Sequence, residues 1–275
     1  MPTPTRVSSP LRAGAAKSFA HLAAELPGRI ELAVMPVGES SASVVLGGNA
    51  TAHGWSTTKV LVLSALLKAG GANGLTSEEQ VLARAAITQS DNQSILDLFT
   101  DLEQIEGGLV GASDYMDTLL RESGDDSTVV ATSTPPPPAV TTFGQTEWSP
   151  SEAVRFFGAL DQGCLLSAQE TGYLLDLMEQ IEPSESWGLG SASFSVPVAF
   201  KGGWGPQPSG SYLVRQSGIV DVGSNSAVAV AMVAFPTGSG IASFETGTQM
   251  LTETARWLRR EIPFKQLAQL PCTSH

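Results

Sequence analysis

The chain contains few of the residues that build metal sites and cofactor sites. Of its 275 residues only 2 are cysteine and 3 are histidine. The two cysteines, Cys164 and Cys272, lie 108 residues apart and the histidines are scattered, so we expect no metal and no cofactor. A disulfide between the cysteines would suit a protein that works outside the cytoplasm, and two unrelated thiols are the alternative.

Positive charge and long apolar runs are also scarce. Lys and Arg total 15 against 27 Asp and Glu, for a net charge of −12, which argues against a nucleic acid or an anionic membrane as partner. The longest strongly apolar run, Ala227–Phe235, has nine residues, far short of the ~20 that a membrane-spanning helix needs. Residues 1–10 have no apolar stretch, so we expect a flexible N-terminal segment without a signal peptide.

What the chain does have is enough apolar residues, 42%, to bury a large core. The spacing of these residues predicts an alternation of helices and strands at both ends of the chain. The predicted order is a helix over Leu11–Leu26, a hairpin of Arg29–Val37 and Ser43–Leu46, three strands over Ser195–Gly202, Ser211–Val220 and Ser226–Phe235, and a helix over Phe244–Ile262.

The middle of the chain is predicted to be helical. Three capping boxes open apolar-periodic stretches there: Thr76 with Glu79, Ser149 with Glu152, and Ser167 with Glu170.

This order predicts an α/β (α+β) fold in which the two ends of the chain complete one five-stranded antiparallel sheet. We expect residues 11–52 and 190–275 to form an α/β sandwich lobe flanked by the N- and C-terminal helices, and residues 53–189 an inserted all-α lobe. A site would then lie in the crevice between the two lobes.

The strongest chemical signal is Ser56-Thr57-Thr58-Lys59 at the head of an apolar helix. The spacing puts a hydroxyl and an amine one helical turn apart on the same face. A serine needs a nearby base to become a nucleophile, and a partly desolvated lysine is one of the few groups that can serve. The helix N-terminus would favour a developing oxyanion.

Two further motifs follow in the chain. Ser90-Asp91-Asn92 would arise by chance only about 0.02 times in a chain of this composition. Lys201-Gly202-Gly203-Trp204 is preceded by the strand-like segment Ser195–Phe200, in a chain with only 5 lysines. Asp91 is expected to point away from the site and brace the turn before the next helix.

With these three motifs in this order, the chain resembles the class A β-lactamase and penicillin-binding-protein superfamily, in its β-lactamase-like serine hydrolase branch. The resemblance covers roughly residues 12–262 and implies a β-lactamase-like fold. It implies that Ser56 is the acylated nucleophile, that Lys59 is its base and touches Ser90 and Asn92, and that Ser90 relays a proton to the leaving group.

The resemblance also implies how a substrate is held. Asn92 would bind a substrate amide, and Lys201 would supply positive charge near Ser90 and a substrate carboxylate. Gly203 and Trp204 would line the substrate site, and the backbone N–H groups of Ser56 and Trp204 would form the oxyanion hole. A secreted or cell-envelope location follows from the resemblance alone.

Three residues near these motifs have less specific interpretations. Arg215 interrupts an apolar strand and is either functional or a surface-facing strand residue. Trp55 flanks the first motif and either walls the cleft or packs in the core. His53 is interpreted as a loop residue outside the mechanism.

The chain departs from class A enzymes in the segment Asp125–Glu147, which contains a proline run and lacks the Glu-x-x-x-Asn that activates the hydrolytic water. We therefore expect a serine hydrolase or acyltransferase that acts on a small-molecule or peptide substrate, at an amide, peptide or ester bond, with poor β-lactam turnover. One alternative is a true β-lactamase whose water is activated by Lys59, Asp125 or Asp126. Another is a non-catalytic envelope protein that binds a ligand.

Overall fold

The structure, a computed structural model, describes residues 10–38, 43–71, 74–133, 141–207, 210–221, 227–238 and 240–263. No helix within these ranges combines the length and the apolar character needed to cross a membrane. The predicted N-terminal segment except Pro10, the proline run and Cys272 fall outside them, and so does the question of a bridge to Cys164.

The described chain contains helices at both ends, a helical middle and strands on either side of that middle. The helices are α1 (Ala15–Glu25), α2 (Thr58–Gly70), α3 (Ser77–Thr88), α4 (Asn92–Glu106), α5 (Leu109–Glu122), α6 (Pro150–Asp161), α7 (Ala168–Glu179) and α8 (Ala242–Glu261). The strands are β1 (Gly28–Pro36), β2 (Val44–Leu46), β3 (Ala52–His53), β4 (Glu147–Trp148), β5 (Val198–Pro206), β6 (Tyr212–Asp221) and β7 (Ala227–Pro236).

The two ends of the chain meet in one sheet, as predicted. Its five strands run in the order β2-β1-β7-β6-β5, and every neighbouring pair is antiparallel. Leu32 lies opposite both Leu46 and Met232, so β1 joins the N-terminal hairpin to the C-terminal strands. The fold class predicted from the sequence, a β-lactamase-like α/β fold with a five-stranded antiparallel sheet, is confirmed.

Strand β5 lies further along the chain than the sequence pattern predicts. It covers Val198–Pro206 instead of Ser195–Gly202, because Gly203, Trp204 and Gly205 also pair with β6. The glycines carry no side chain that would mark a strand in a periodicity argument. The N-terminal helix is likewise shorter than predicted, since it starts after Gly14, whose φ of 87° is left-handed.

The sheet has a hydrophobic cluster on each side. One combines strand residues such as Ala33 and Ala231 with the helices of the middle, including Leu63 of α2. The other joins strand residues such as Leu32 with Phe19 of α1 and Trp257 of α8. The sheet is therefore covered on both faces and fixes the position of α2, whose residues from Thr58 to Leu67 are all buried.

Two of the three predicted capping boxes form completely. Thr76 with Glu79 and Ser167 with Glu170 each exchange both hydrogen bonds. At α6, Ser149 Oγ accepts from Glu152 N at 3.3 Å, but the return bond is absent, so the predicted box is wrong. The Glu152 carboxyl is instead engaged with the Asp125 carboxylate and lies 3.5 Å from Arg155 Nε.

Candidate active site

Ser56 lies in a single 3₁₀ turn, Trp55–Thr57, directly before the buried helix α2. Two hydroxyl groups fix this turn: Thr57 Oγ1 donates to Gly54 O at 2.5 Å, and Thr58 Oγ1 donates to Trp55 O at 2.6 Å. Trp55 has a φ of 47°, a left-handed conformation that is rare and strained for an aromatic residue. The turn therefore holds Ser56 half-exposed at the head of α2.

Lys59 follows one helical turn later and is fully buried. Its Nζ donates to Ser90 O at 2.5 Å and to Asp91 O at 3.1 Å. Burial, followed by the positive charge of Lys201, lowers the pKa of Lys59 to about 6. A neutral amine has two N–H groups and one lone pair, so with both N–H groups on carbonyls the lone pair remains able to accept a proton.

Ser90 lies between two lysines. Lys201 Nζ donates to Ser90 Oγ at 2.8 Å, while Lys59 Nζ lies 3.5 Å from the same oxygen. Ser90 itself has a left-handed φ of 59°, in the short loop between α3 and α4. Because Lys201 occupies a lone pair of Ser90 Oγ, the hydroxyl proton is free to point towards Lys59.

Asp91 braces this loop, as the sequence predicts. Its carboxylate caps α4 by accepting from Ser94 N at 2.7 Å, and that bond is the main reason why the pKa of Asp91 is lowered. Among the described residues Lys59 Nζ makes no hydrogen bond to Asn92 and is bound instead to Ser90 and Asp91. Asn92 starts α4 and is exposed.

Lys201 comes from β5 and is also fully buried. Burial lowers its pKa to about 8, against the opposing effect of the Glu185 carboxylate. Near neutral pH the two lysines therefore differ, with Lys59 mainly neutral and Lys201 mainly protonated. This difference lets one amine accept a proton while the other supplies positive charge.

A cavity of about 440 Å³ opens onto this constellation. Four of the predicted site residues line this cavity together: Ser56, Ser90, Asn92 and Trp204. Its other lining residues are Trp55, Gln89, Asp91, Thr141 and Glu185.

The glycines of β5 allow the strand to pass close to the head of α2. A Cβ placed on Gly203 would lie 2.7 Å from Ser56 N. A Cβ on Gly205 would lie 2.3 Å from the ring of Trp55, and one on Gly202 would lie 2.5 Å from the ring of Trp187. Side chains at these positions are excluded because backbone or aromatic ring already fills the space.

The aromatic residues at the site have mixed roles. Trp204 lines the cavity and also packs against Phe244, with ring centroids 4.8 Å apart. Trp55 lines the cavity and contacts His53 edge-on at 5.8 Å. His53 is not a loop residue as interpreted from the sequence, because it is buried in β3 and paired with Glu147.

Arg215 does not face the surface, so that interpretation is wrong. It is fully buried, and its Nη1 donates to Ala52 O, His53 O and Trp148 O at 3.0–3.2 Å. These bonds attach the β3–β4 pair to β6, and β3 leads directly into the turn that carries Ser56. Burial lowers the pKa of Arg215 to about 10, so the guanidinium stays charged.

The segment without the family's glutamate uses its acidic groups elsewhere. The Asp125 carboxylate is fully buried and accepts from Thr128 N at 2.9 Å and Trp148 Nε1 at 3.0 Å. Asp126 and Glu147 are exposed, and none of the three lines the cavity.

The site residue that the sequence argument missed is Glu185. It lies in a turn after α7, outside every recognised motif, and only the folded chain brings it to the cavity of Ser56 and Ser90. Among the described residues no group of three or more His, Cys, Asp or Glu side chains could hold a metal ion.

Two buried lysines beside two half-exposed serines, on this sheet and helix, define a serine enzyme of β-lactamase fold. The family model for the beta-lactamase enzyme family matches residues 14–256, so the chain belongs to that family. No curated protein matches the chain.

Solved structures with the same fold include a class A β-lactamase from Bacteroides cellulosilyticus, with 16% identity, a TM-score of 0.68, and coverage of 92% of this chain and 98% of that one. A β-lactamase from Chitinophaga pinensis is 20% identical, with a TM-score of 0.66 and coverage of 88% and 99%. A variant of PBP-A in an acyl-enzyme complex with penicillin G is 19% identical, with a TM-score of 0.65 and coverage of 92% and 100%.

Proposed function

We propose that this protein is a serine hydrolase or acyltransferase that works through an acyl-enzyme on Ser56 and cleaves an amide, peptide or ester. The observation that supports this most is the position of Lys59. Its amine is buried, its pKa is lowered to about 6, and it lies one helical turn from Ser56 and beside Ser90. A lysine with a purely structural role would not require a lowered pKa next to two serine hydroxyl groups.

In the proposed acylation, Ser56 Oγ attacks the substrate carbonyl while Lys59 Nζ takes the hydroxyl proton. The new Oγ–C bond forms as the bond from that carbon to the leaving nitrogen or oxygen breaks. The proton passes from Lys59 through Ser90 Oγ to the leaving group, with the Lys201 ammonium stabilising the relay. Gly203 brings β5 against Ser56 N, where backbone N–H groups of Ser56 and Trp204 would hold the oxyanion.

Ser56 Oγ makes no hydrogen bond to Lys59 Nζ among the described residues. Such bonds are often long before substrate binds and shorten in the reacting complex. Rotation of the Ser56 side chain towards the Lys59 lone pair is the movement that acylation requires.

Hydrolysis of the ester needs a base that activates water, and none of the described acidic residues of this segment, Asp125, Asp126 and Glu147, lines the cavity. We therefore propose slow release of acyl groups and poor turnover of β-lactams. From the family we also propose a secreted or cell-envelope location. A true β-lactamase with a different water activator is the second candidate, and the unusual Lys59 supports it, because a neutral amine could also activate water. A non-catalytic ligand-binding protein is the third, and the buried lysine pair counts against it.

Labelling with a fluorescent penicillin or a fluorophosphonate, followed by mass spectrometry of the adduct, tests the proposal. Wild type should be labelled on Ser56, the Ser56→Ala variant should not be labelled, and the exposed-serine control Ser77→Ala should be labelled like wild type. Labelling that survives in Ser56→Ala, or no labelling of wild type, would contradict the assignment.

A further inference from the structure

The Glu185 carboxylate belongs to the cavity, yet the acylation chemistry does not use it. It lines the cavity together with Ser56, Ser90 and Trp204. Its Oε2 is shielded from solvent and has no hydrogen-bond partner among the described residues. A buried carboxylate oxygen without a donor is costly, so its presence in a ligand cavity points to a donor that a ligand supplies.

The turn that carries Glu185 is held in place at both ends. Glu182 N donates to Thr88 O at 3.0 Å, which attaches the turn to the end of α3 near Ser90. On the other side, Gln216 Nε2 donates to Trp187 O at 2.9 Å and Gln216 Oε1 accepts from Leu189 N at 2.6 Å. The backbone on both sides of Glu185 is therefore fixed by the fold.

The charges around the cavity do not favour an anionic substrate. Glu185 lines it, and so does Asp91, whose carboxylate caps α4, while among the described residues the protonated amine behind it near neutral pH is Lys201. Burial raises the pKa of the Glu185 carboxyl, and the positive charges of Lys201 and Lys59 act against that rise. No ion pair within 4.0 Å joins Glu185 to either lysine among the described residues. The negative charge of the Glu185 carboxylate thus offsets the positive charge of Lys201, and Glu185 Oε2 stays available to a hydrogen-bond donor of the ligand.

We propose that Glu185 determines specificity by selecting acyl donors with a hydrogen-bond donor, such as an amide N–H or an ammonium group, at the position beside Lys201. Substrates that carry a carboxylate beside Lys201 are disfavoured, because that carboxylate would face the Glu185 carboxylate in a half-buried site. This inference rests on the proposed acyl-enzyme function of Ser56, and it gives a physical reason for a weak reaction with β-lactams, which carry such a carboxylate.

A matched pair of substrates isolates the charge: benzylpenicillin and its uncharged methyl ester. The rate of Ser56 acylation by each is measured by intact-protein mass spectrometry at about pH 7, between the pKa values of Lys59 and Lys201. Three proteins are compared: wild type, Glu185→Gln, and Glu182→Gln, an exposed glutamate three residues earlier that does not line the cavity.

In Glu185→Gln the acid should react about tenfold faster than in wild type, while the ester rate stays within about twofold. Glu182→Gln should behave like wild type with both compounds. If Glu185→Gln does not fold by circular dichroism, a second substitution keeps the inference testable. Glu185→Ala is then measured in its place and should raise the acid-to-ester rate ratio in the same direction, because it also removes the carboxylate charge.

An unchanged ratio of acid to ester rates in folded Glu185→Gln would overturn the inference while Ser56 remains labelled. The same ratio with a longer-lived acyl-enzyme would also overturn it and would make Glu185 the group that activates water. Absence of Ser56 labelling by both compounds would instead overturn the proposed function on which the inference depends.

Discussion

Lys59 shows how a single residue is adapted to a task against its ordinary preference. A lysine is normally exposed and protonated, but this one lies in α2, whose residues from Thr58 to Leu67 are all buried, and is removed from water. The sequence allowed the pair Ser56 and Lys59 to be recognised, because their spacing is a local property. It did not show the partners Ser90 O and Asp91 O, since these depend on a backbone conformation that no motif encodes.

The two lysines of α2 give a direct comparison for the general-base role. We expect Lys59→Ala to slow acylation of Ser56 by ~10²–10⁴, because Lys59 is the proposed base one helical turn from the Ser56 hydroxyl. Lys68→Ala removes a partly exposed lysine that pairs with Glu122 and should leave acylation unchanged. Stopped-flow fluorescence with a labelled penicillin measures both. Near wild-type acylation by folded Lys59→Ala would show that the base lies elsewhere.

Acylation should depend on pH as a bell-shaped curve. The rate should rise as Lys59 loses its proton near pH 6 and fall as Lys201 loses its proton near pH 8. The two lysines lie close together, so the curve reports apparent values of the pair. Single-turnover rates across about pH 5 to 9 test this. An acylation rate that keeps rising until the pH reaches the ordinary pKa of lysine would exclude a neutral Lys59 at physiological pH.

Secondary-structure elements were predictable where the signal lies within the element. The capping boxes of α3 and α7 formed as expected because a box depends on four consecutive residues. The box of α6 failed because Asp125, 27 residues away from Glu152, competes for the same carboxyl group. Strand β5 was displaced for a similar reason, since pairing with β6 decides which glycines are extended.

The start of α6 should make stability depend on pH. Burial, followed by the charge of Asp125, raises the pKa of Glu152 from 4.5 to about 7. The folded state thus binds a proton that the unfolded chain has released, so this contribution is present below pH 4.5 and lost as pH rises through about 7. Glu152→Gln has an uncharged side chain at every pH. Its Tm should therefore fall by about 2–4 °C less than the wild-type Tm between about pH 5 and 8.

Glu78→Gln, an exposed glutamate in the first turn of α3, is the matched control and should follow the wild-type curve. Differential scanning calorimetry at both pH values gives the comparison. Parallel loss of Tm in wild type and Glu152→Gln would mean that Glu152 is ionised throughout.

At the scale of the whole molecule, the sequence was sufficient to join the two ends of the chain into one sheet. Alternating strands near both termini left few other arrangements, and the sheet order confirms this. The boundaries of the two lobes at residues 53 and 189 stay predictions, because helix α6 packs against β1, β6 and β7 of the sheet. Glu185 and Arg215 acquire their roles only from this tertiary arrangement, so no linear pattern could reveal them.

Turnover is a property of the assembled cleft, since it requires both an acylated serine and an activated water. With a chromogenic cephalosporin we expect at most one equivalent of product in a burst, followed by release well below the enzyme median of ~10 s⁻¹. Acylation requires only Ser56, Lys59 and Ser90, while Asp125 is fully engaged with Thr128 and Trp148. Steady hydrolysis at tens per second without a burst would instead support the β-lactamase alternative.

The contact between Gly202 and Trp187 limits how this molecule can change during evolution. The ring of Trp187 occupies the volume of a side chain at position 202, which the related signature Lys-[Thr/Gly]-Gly allows to be threonine. A mutational path to threonine must therefore pass first through loss of the tryptophan, and that step removes packing against Trp204 and Phe244. The middle glycine of the motif, Gly202, therefore cannot be replaced while Trp187, 15 positions upstream of it, is retained.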